Sequence, residues 1–85
     1  MPFVRRDLHE KVCLLIERIV GCPAKSIMGH EHWRELGINS LDLLALAVDC
    51  ETTFDIAIPD GELPEIRTVS DLVEYLQKAT FGSER

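Results

Sequence analysis

An all-α fold is predicted: a four-helix bundle with a short third helix and a long loop between helices I and II. Three observations lead to it. Apolar residues recur at helical spacing in three separate stretches, Gly and Pro punctuate the gaps between them, and no stretch shows the strict alternation of a half-buried strand.

Helix I spans about 4–20, because Val4, Leu8, Val12, Leu15, Ile16 and Ile19 fall on one face; Gly21 and Pro23 end it. Residues 22–39 form a long connection with scattered apolar anchors at Ile27, Met28, Trp33, Leu36 and Ile38. A connection of this length in a small domain is pinned by its own side chains or is functional. Helix II runs over about 40–54. Ile56-Ala57-Ile58-Pro59 is an extended exit from it. Helix III, about 60–65, is held to one or two turns by Gly61 and Pro64. Thr68 or Ser70 caps helix IV, which carries Val69, Leu72, Val73 and Leu76 over about 69–79, and residues 81–85 fray.

With 85 residues, the chain fits a single domain, 1–85, with a modest core and little room for a buried active site. Its net charge of −6 argues against nucleic acid and anionic membranes and suits a basic partner surface. Cys13, Cys22 and Cys50 are an odd set without paired spacing, which reads as reduced thiols in a cytoplasmic protein. The start, MPFVRRDLHE, turns acidic too early for an export signal. The longest apolar run, Val12 to Ile16, is too short to span a membrane. No repeat, low-complexity tract or linker appears, so a free-standing chain is expected.

Helix II begins with the most informative residues. Asn39 is a good N-cap, and Asp42, three residues later, can reach back as in a capping box while favouring the positive end of the helix dipole. Ser40 is then held at an exposed helix start, where negative charge is favoured. At roughly 100° per residue, Leu43, Leu46, Ala47, Cys50 and Phe54 form a core stripe, while Leu41, Leu44, Ala45, Val48 and Thr52 lie opposite. That second apolar face is either covered by neighbouring helices or is an exposed partner patch flanked by Asp42, Asp49, Glu51 and Asp55. The chain has too few helices to cover both faces, which favours the patch.

Leu36-Gly37-Ile38-Asn39-Ser40-Leu41-Asp42, then Phe54-Asp55-Ile56-Ala57-Ile58-Pro59 and Thr68-Val69, resembles the acyl carrier protein family. The spacing matches without a gap and continues to Tyr75. The likeness covers residues 33–80 and is looser over helix I. The resemblance implies that Ser40 carries 4′-phosphopantetheine through a phosphodiester, installed from coenzyme A by a phosphopantetheinyl transferase using Mg²⁺. The arm's thiol then holds an acyl group as a thioester. It implies a monomeric protein of lipid metabolism or fatty acid biosynthesis that catalyses nothing and presents its cargo to acyl-transferring or acyl-activating enzymes. It places Asn39, Leu41, Asp42, Leu44, Val48 and Glu51 on the face that partners read. The positions that could enclose an acyl chain are Leu43, Leu46, Ala47, Cys50, Phe54, Ile58, Leu63, Ile66, Leu72 and Tyr75.

The chain departs from the family where an acid usually precedes the serine: here it is Asn39, with Ala45 and Thr52 also replacing frequent acids. A less negative, more apolar docking face points to a dedicated carrier in a specialised lipid or secondary-metabolite pathway. Gly61 and Pro64 suggest a loosened helix III that widens the acyl pocket. An aminoacyl or aryl carrier is the neighbouring alternative, although such carriers show a glycine pair and a histidine before the serine. An unmodified helical adaptor using the Leu41/Leu44/Val48 face is the alternative from another class. His30-x-His32 with His9 and the cysteines matches no common zinc spacing, so no metal is expected. Trp33 is expected to anchor the loop, and Cys50 to fill the core. Ser40 lacks the nucleophile-elbow motif of a hydrolase.

Overall fold

The computed structural model describes residues 5–82. Three α-helices, α1 (Arg5–Val20), α2 (Ser40–Phe54) and α3 (Val69–Gly82), surround one core, with a six-residue 3₁₀ helix at Asp60–Glu65 between the last two. Two further 3₁₀ turns, Ala24–Ser26 and Trp33–Leu36, break up the long connection before α2. Val4, the expected start of the first helix, lies outside the described residues, as do residues 83–85. At the other end α3 continues through Gly82 rather than stopping near Ala79 and fraying from residue 81. Nothing in Thr80 or Phe81 breaks a helix, and the first strong terminator is Gly82 itself.

The predicted apolar stripes converge. Leu8, Val12, Leu15 and Ile16 of α1, Leu46, Ala47, Cys50 and Phe54 of α2, and Val69, Leu72, Val73 and Leu76 of α3 are all buried. Each large apolar side chain removed from water contributes about 1.5–3 kcal/mol. The packing of these faces, rather than helix propensity, therefore holds the elements. Gly21, at φ 80°, ends α1, and its amide donates to the Glu17 carbonyl at 2.9 Å. Asp55 ends α2 in the left-handed conformation at φ 56°, one of the few side chains that tolerates it. Thr68 begins α3: its Oγ1 accepts from the Asp71 amide at 3.0 Å, while Asp71 Oδ2 accepts from the Arg67 amide at 3.0 Å.

The connection before α2 is strapped to the start of α3. The Trp33 indole N–H donates to the Ile66 carbonyl at 2.7 Å, the Trp33 amide to the Arg67 carbonyl at 3.1 Å, and the Ser70 amide to the Gly29 carbonyl at 2.8 Å. Ile27, Trp33 and Ile38 sink into the core from this segment, as does Ile66 opposite. Met28, grouped with these anchors on sequence, is instead exposed, because its neighbours on both sides take the buried positions. Glu31 fastens the bend, accepting from the amides of Met28 (3.0 Å) and Gly29 (2.8 Å). Those two amides hold its carboxyl below the usual carboxylate value.

Gly29 makes this strap possible. Its φ is +119°, and a Cβ there would lie 3.0 Å from Ser70 Oγ and 3.2 Å from a ring carbon of His9. Gly29→Ala is therefore expected to lower stability by about 1–3 kcal/mol, read as a fall in the urea midpoint at unchanged m-value. A midpoint equal to the parent's would mean that the backbone here relaxes freely.

Candidate functional site

Ser40 is the first residue of α2 and is exposed. Asn39, extended at φ −90° and ψ −176°, caps the helix: its Oδ1 accepts from the Asp42 amide at 2.8 Å. Asp42 returns the interaction, Oδ2 accepting from the Asn39 amide at 3.4 Å, and the Asn39 carbonyl accepts from Leu43 at 2.9 Å. One residue upstream of the cap Ile38 is buried, its amide bonded to the Trp33 carbonyl at 3.0 Å. The backbone that carries the serine is thus fixed from both sides by groups other than Ser40 itself.

The Trp33–Leu36 turn upstream has its own reciprocal cap. His32 Nδ1 accepts from the Arg34 amide at 3.0 Å, and Glu35 Oε1 from the His32 amide at 2.8 Å. This role for His32 was not legible in the His30-x-His32 pair, since histidine is not among the usual capping residues. Between this turn and the start of α2 lies an open cleft of about 490 Å³, lined by residues that include His32, Arg34, Gly37, Ile38, Ser40 and Leu43.

The second face of α2 meets water. Leu41 is 75% exposed, Val48 56% and Leu44 43%, and Ala45 and Thr52 are exposed beside them. Cover by neighbouring helices, one of the two readings of this face, is therefore ruled out. Of the other positions grouped with it, Asn39 is exposed, while Asp42 and Glu51 are half-buried. Glu51 also has a structural task that sequence reasoning missed. Its Oε2 accepts from the Ile58 amide at 2.8 Å and braces the exit from α2 against the helix. A bond spanning seven residues leaves no local signal.

On the opposite face, Leu46, Ala47, Cys50, Phe54, Ile58, Ile66 and Leu72 are buried in the common core, with Leu43, Leu63 and Tyr75 half-buried at its edge. The Tyr75 hydroxyl donates to the Ala57 carbonyl at 3.3 Å, closing the exit segment onto α3. Of these ten positions, Leu43 also lines the cleft beside Ser40.

The cysteines are free thiols. Burial, followed by the charges of Glu31 and Cys22, pushes Cys13 up to about 11; burial, followed by Asp49 and Glu51, pushes Cys50 up to about 12. At mildly alkaline pH the folded, unmodified protein should therefore alkylate at half-buried Cys22, with Cys13 and Cys50 reacting only on unfolding. Peptide mapping after iodoacetamide checks this, and rapid native labelling of Cys50 would contradict it.

A model of the phosphopantetheine attachment site matches residues 10–76. The chain is 39% identical over 74 residues to the acyl carrier protein of Onion yellows phytoplasma, an alignment covering 86% of this chain and 97% of that one. It is 32% identical over 79 residues to the meromycolate extension acyl carrier protein of Mycobacterium tuberculosis, covering 92% of this chain and 69% of that protein. Among solved structures, that of the acyl carrier protein from Thermotoga maritima superposes with a TM-score of 0.79 at 28% identity, covering 88% of each chain.

Proposed function

The chain belongs to the acyl carrier protein family, and on that premise we propose that Ser40 is the residue that bears its covalent 4′-phosphopantetheine. What supports this assignment is the exposed Ser40 hydroxyl at the first residue of a helix whose reciprocal cap is built from Asn39 and Asp42. The residues present suit a phosphodiester: the hydroxyl lies where the helix dipole favours negative charge, and Arg34 lines the same cleft as Ser40. When bound, the arm supplies a terminal thiol that holds an acyl group as a thioester. Ser40 has only to be presented, its proton leaving to a base on the transferase, and Asn39 and Asp42 do the presenting. The protein is a carrier in lipid metabolism and hands its cargo to acyl-handling enzymes.

Leu41, Leu44 and Val48 form the apolar centre of the docking face, with Asn39, Asp42 and Glu51 at its rim. A basic partner with one apolar pocket fits this arrangement as a small, transient interface. The ten core-side positions, Leu43 to Tyr75, are where an acyl chain would be sheltered. A 3₁₀ helix is in general less well hydrogen-bonded than an α-helix, and the one at Asp60–Glu65 also contains Pro64, which favours opening on that side. We read residues 1–85 as one carrier domain acting as a monomer in the cytoplasm.

Incubation with coenzyme A, Mg²⁺ and a phosphopantetheinyl transferase tests the central assignment. The intact mass should rise by one phosphopantetheine, located on Ser40 by peptide mapping; an unchanged mass refutes it and favours an adaptor. The uncharged side chains of Ala45 and Thr52, with an amide rather than a carboxylate at Asn39, support a carrier dedicated to its own pathway. Loaded protein should therefore be turned over more slowly by general fatty-acid synthase enzymes than a housekeeping carrier. Equal turnover would refute the dedicated role.

A further inference from the structure

We propose that the prosthetic arm rests in the loop-side cleft beside Ser40, its phosphate held by Arg34 and its pantetheine chain lying along Gly37 and Ile38 toward Leu43. This rests on Ser40 being the attachment point.

Four observations carry it. Ser40 itself lines the cleft, so a group on its oxygen starts inside it and needs no reach. The volume, about 490 Å³, falls within the range of small-molecule sites, roughly 300–1,000 Å³. The charge is complementary: in a chain of net charge −6, the cleft that Ser40 lines is also lined by an arginine. A guanidinium offers forked N–H donors suited to a phosphate, in addition to the helix dipole. Finally, the lining of the cleft is partly apolar and open at Gly37. A Cβ on Gly37 would meet nothing within 4 Å, so the surface there is open, and Ile38 and half-buried Leu43 supply apolar contact for the pantetheine methyl groups.

The Arg34 side chain is exposed, and only backbone groups of Arg34 take part in the turn: the amide donates to His32 and the carbonyl accepts from Gly37. Its guanidinium can therefore be changed without dismantling the cap. The arrangement also separates two surfaces. The arm at rest lies toward the Trp33–Leu36 turn, leaving Leu41, Leu44 and Val48 uncovered for a partner. Salt should weaken the resting position, because an exposed ion pair is screened.

The test uses the full chain, isotope-labelled and converted with coenzyme A and a transferase. In NMR spectra, nuclear Overhauser contacts are expected from the pantetheine methyls to Ile38 and Leu43, with shifts at Gly37 between the unmodified and modified forms. Arg34→Gln, compared in its arm-bearing form after intact mass and circular dichroism have verified loading and fold, should lose those contacts; Arg34→Lys should regain part of them. Contacts from the arm to Leu41 and Val48, or to Ile58 and Tyr75, would overturn the placement, as would contacts unchanged in Arg34→Gln. If no mass is gained on Ser40, the attachment reading fails first and this inference with it. If the mass is gained and the contacts lie elsewhere, this inference alone fails.

Discussion

Ser40→Ala is expected to abolish phosphopantetheine incorporation completely while leaving the fold intact. The side chain is exposed and makes none of the capping interactions; Asn39 and Asp42 make them. Its loss should therefore change stability by no more than about 0.5 kcal/mol, the scale of a neutral surface substitution. The chemical effect is total, because the ester oxygen is gone and none of the cleft's other lining groups is a hydroxyl. Intact mass after transferase treatment and a urea titration read the two halves separately. A variant that still gains the mass would move the attachment elsewhere. One that unfolds would mean the hydroxyl is structural.

The second large effect is expected at Trp33. The residue is 4% exposed, and its indole N–H is bonded to the Ile66 carbonyl. Truncating a buried tryptophan to alanine costs about 3–5 kcal/mol, and small domains have only about 5–15 kcal/mol in total. Trp33→Ala should therefore lose a large share of the stability, visible as a much lower urea midpoint, and should accept the arm more slowly because the segment holding Ser40 loosens. Trp33→Phe separates packing from hydrogen bonding. It keeps most of the ring and leaves the Ile66 carbonyl unsatisfied, for a cost of about 1–3 kcal/mol. If Trp33→Ala unfolds where the parent does, the strap is not holding the loop.

The long helices were legible because their signals are periodic and local. The stripe from Leu8 to Ile19 marks α1, the Asn39/Asp42 pair marks the start of α2, and Thr68 with Asp71 marks the start of α3. The exposed Leu41/Leu44/Val48 face follows from the same periodicity. The 3₁₀ turns at Ala24–Ser26 and Trp33–Leu36 were not legible, since three or four residues cannot display a period and the cap at His32 uses an atypical residue. The end of α3 lay beyond the last periodic apolar residue, where only Gly82 gives a stop. The Glu51 brace and the Arg34 cleft depend on how the chain bends over 51–58 and 32–43, and neither leaves a pattern along the sequence.

The bonds that join the stretch before Ser40 to the start of α3 have one more consequence. The two irregular parts of the molecule hold each other, so the serine is correctly displayed only when distant portions of the chain have already come together. If the arm is attached there, a chain whose two irregular segments have come apart should be charged more slowly than the intact one, which ties modification to completed folding.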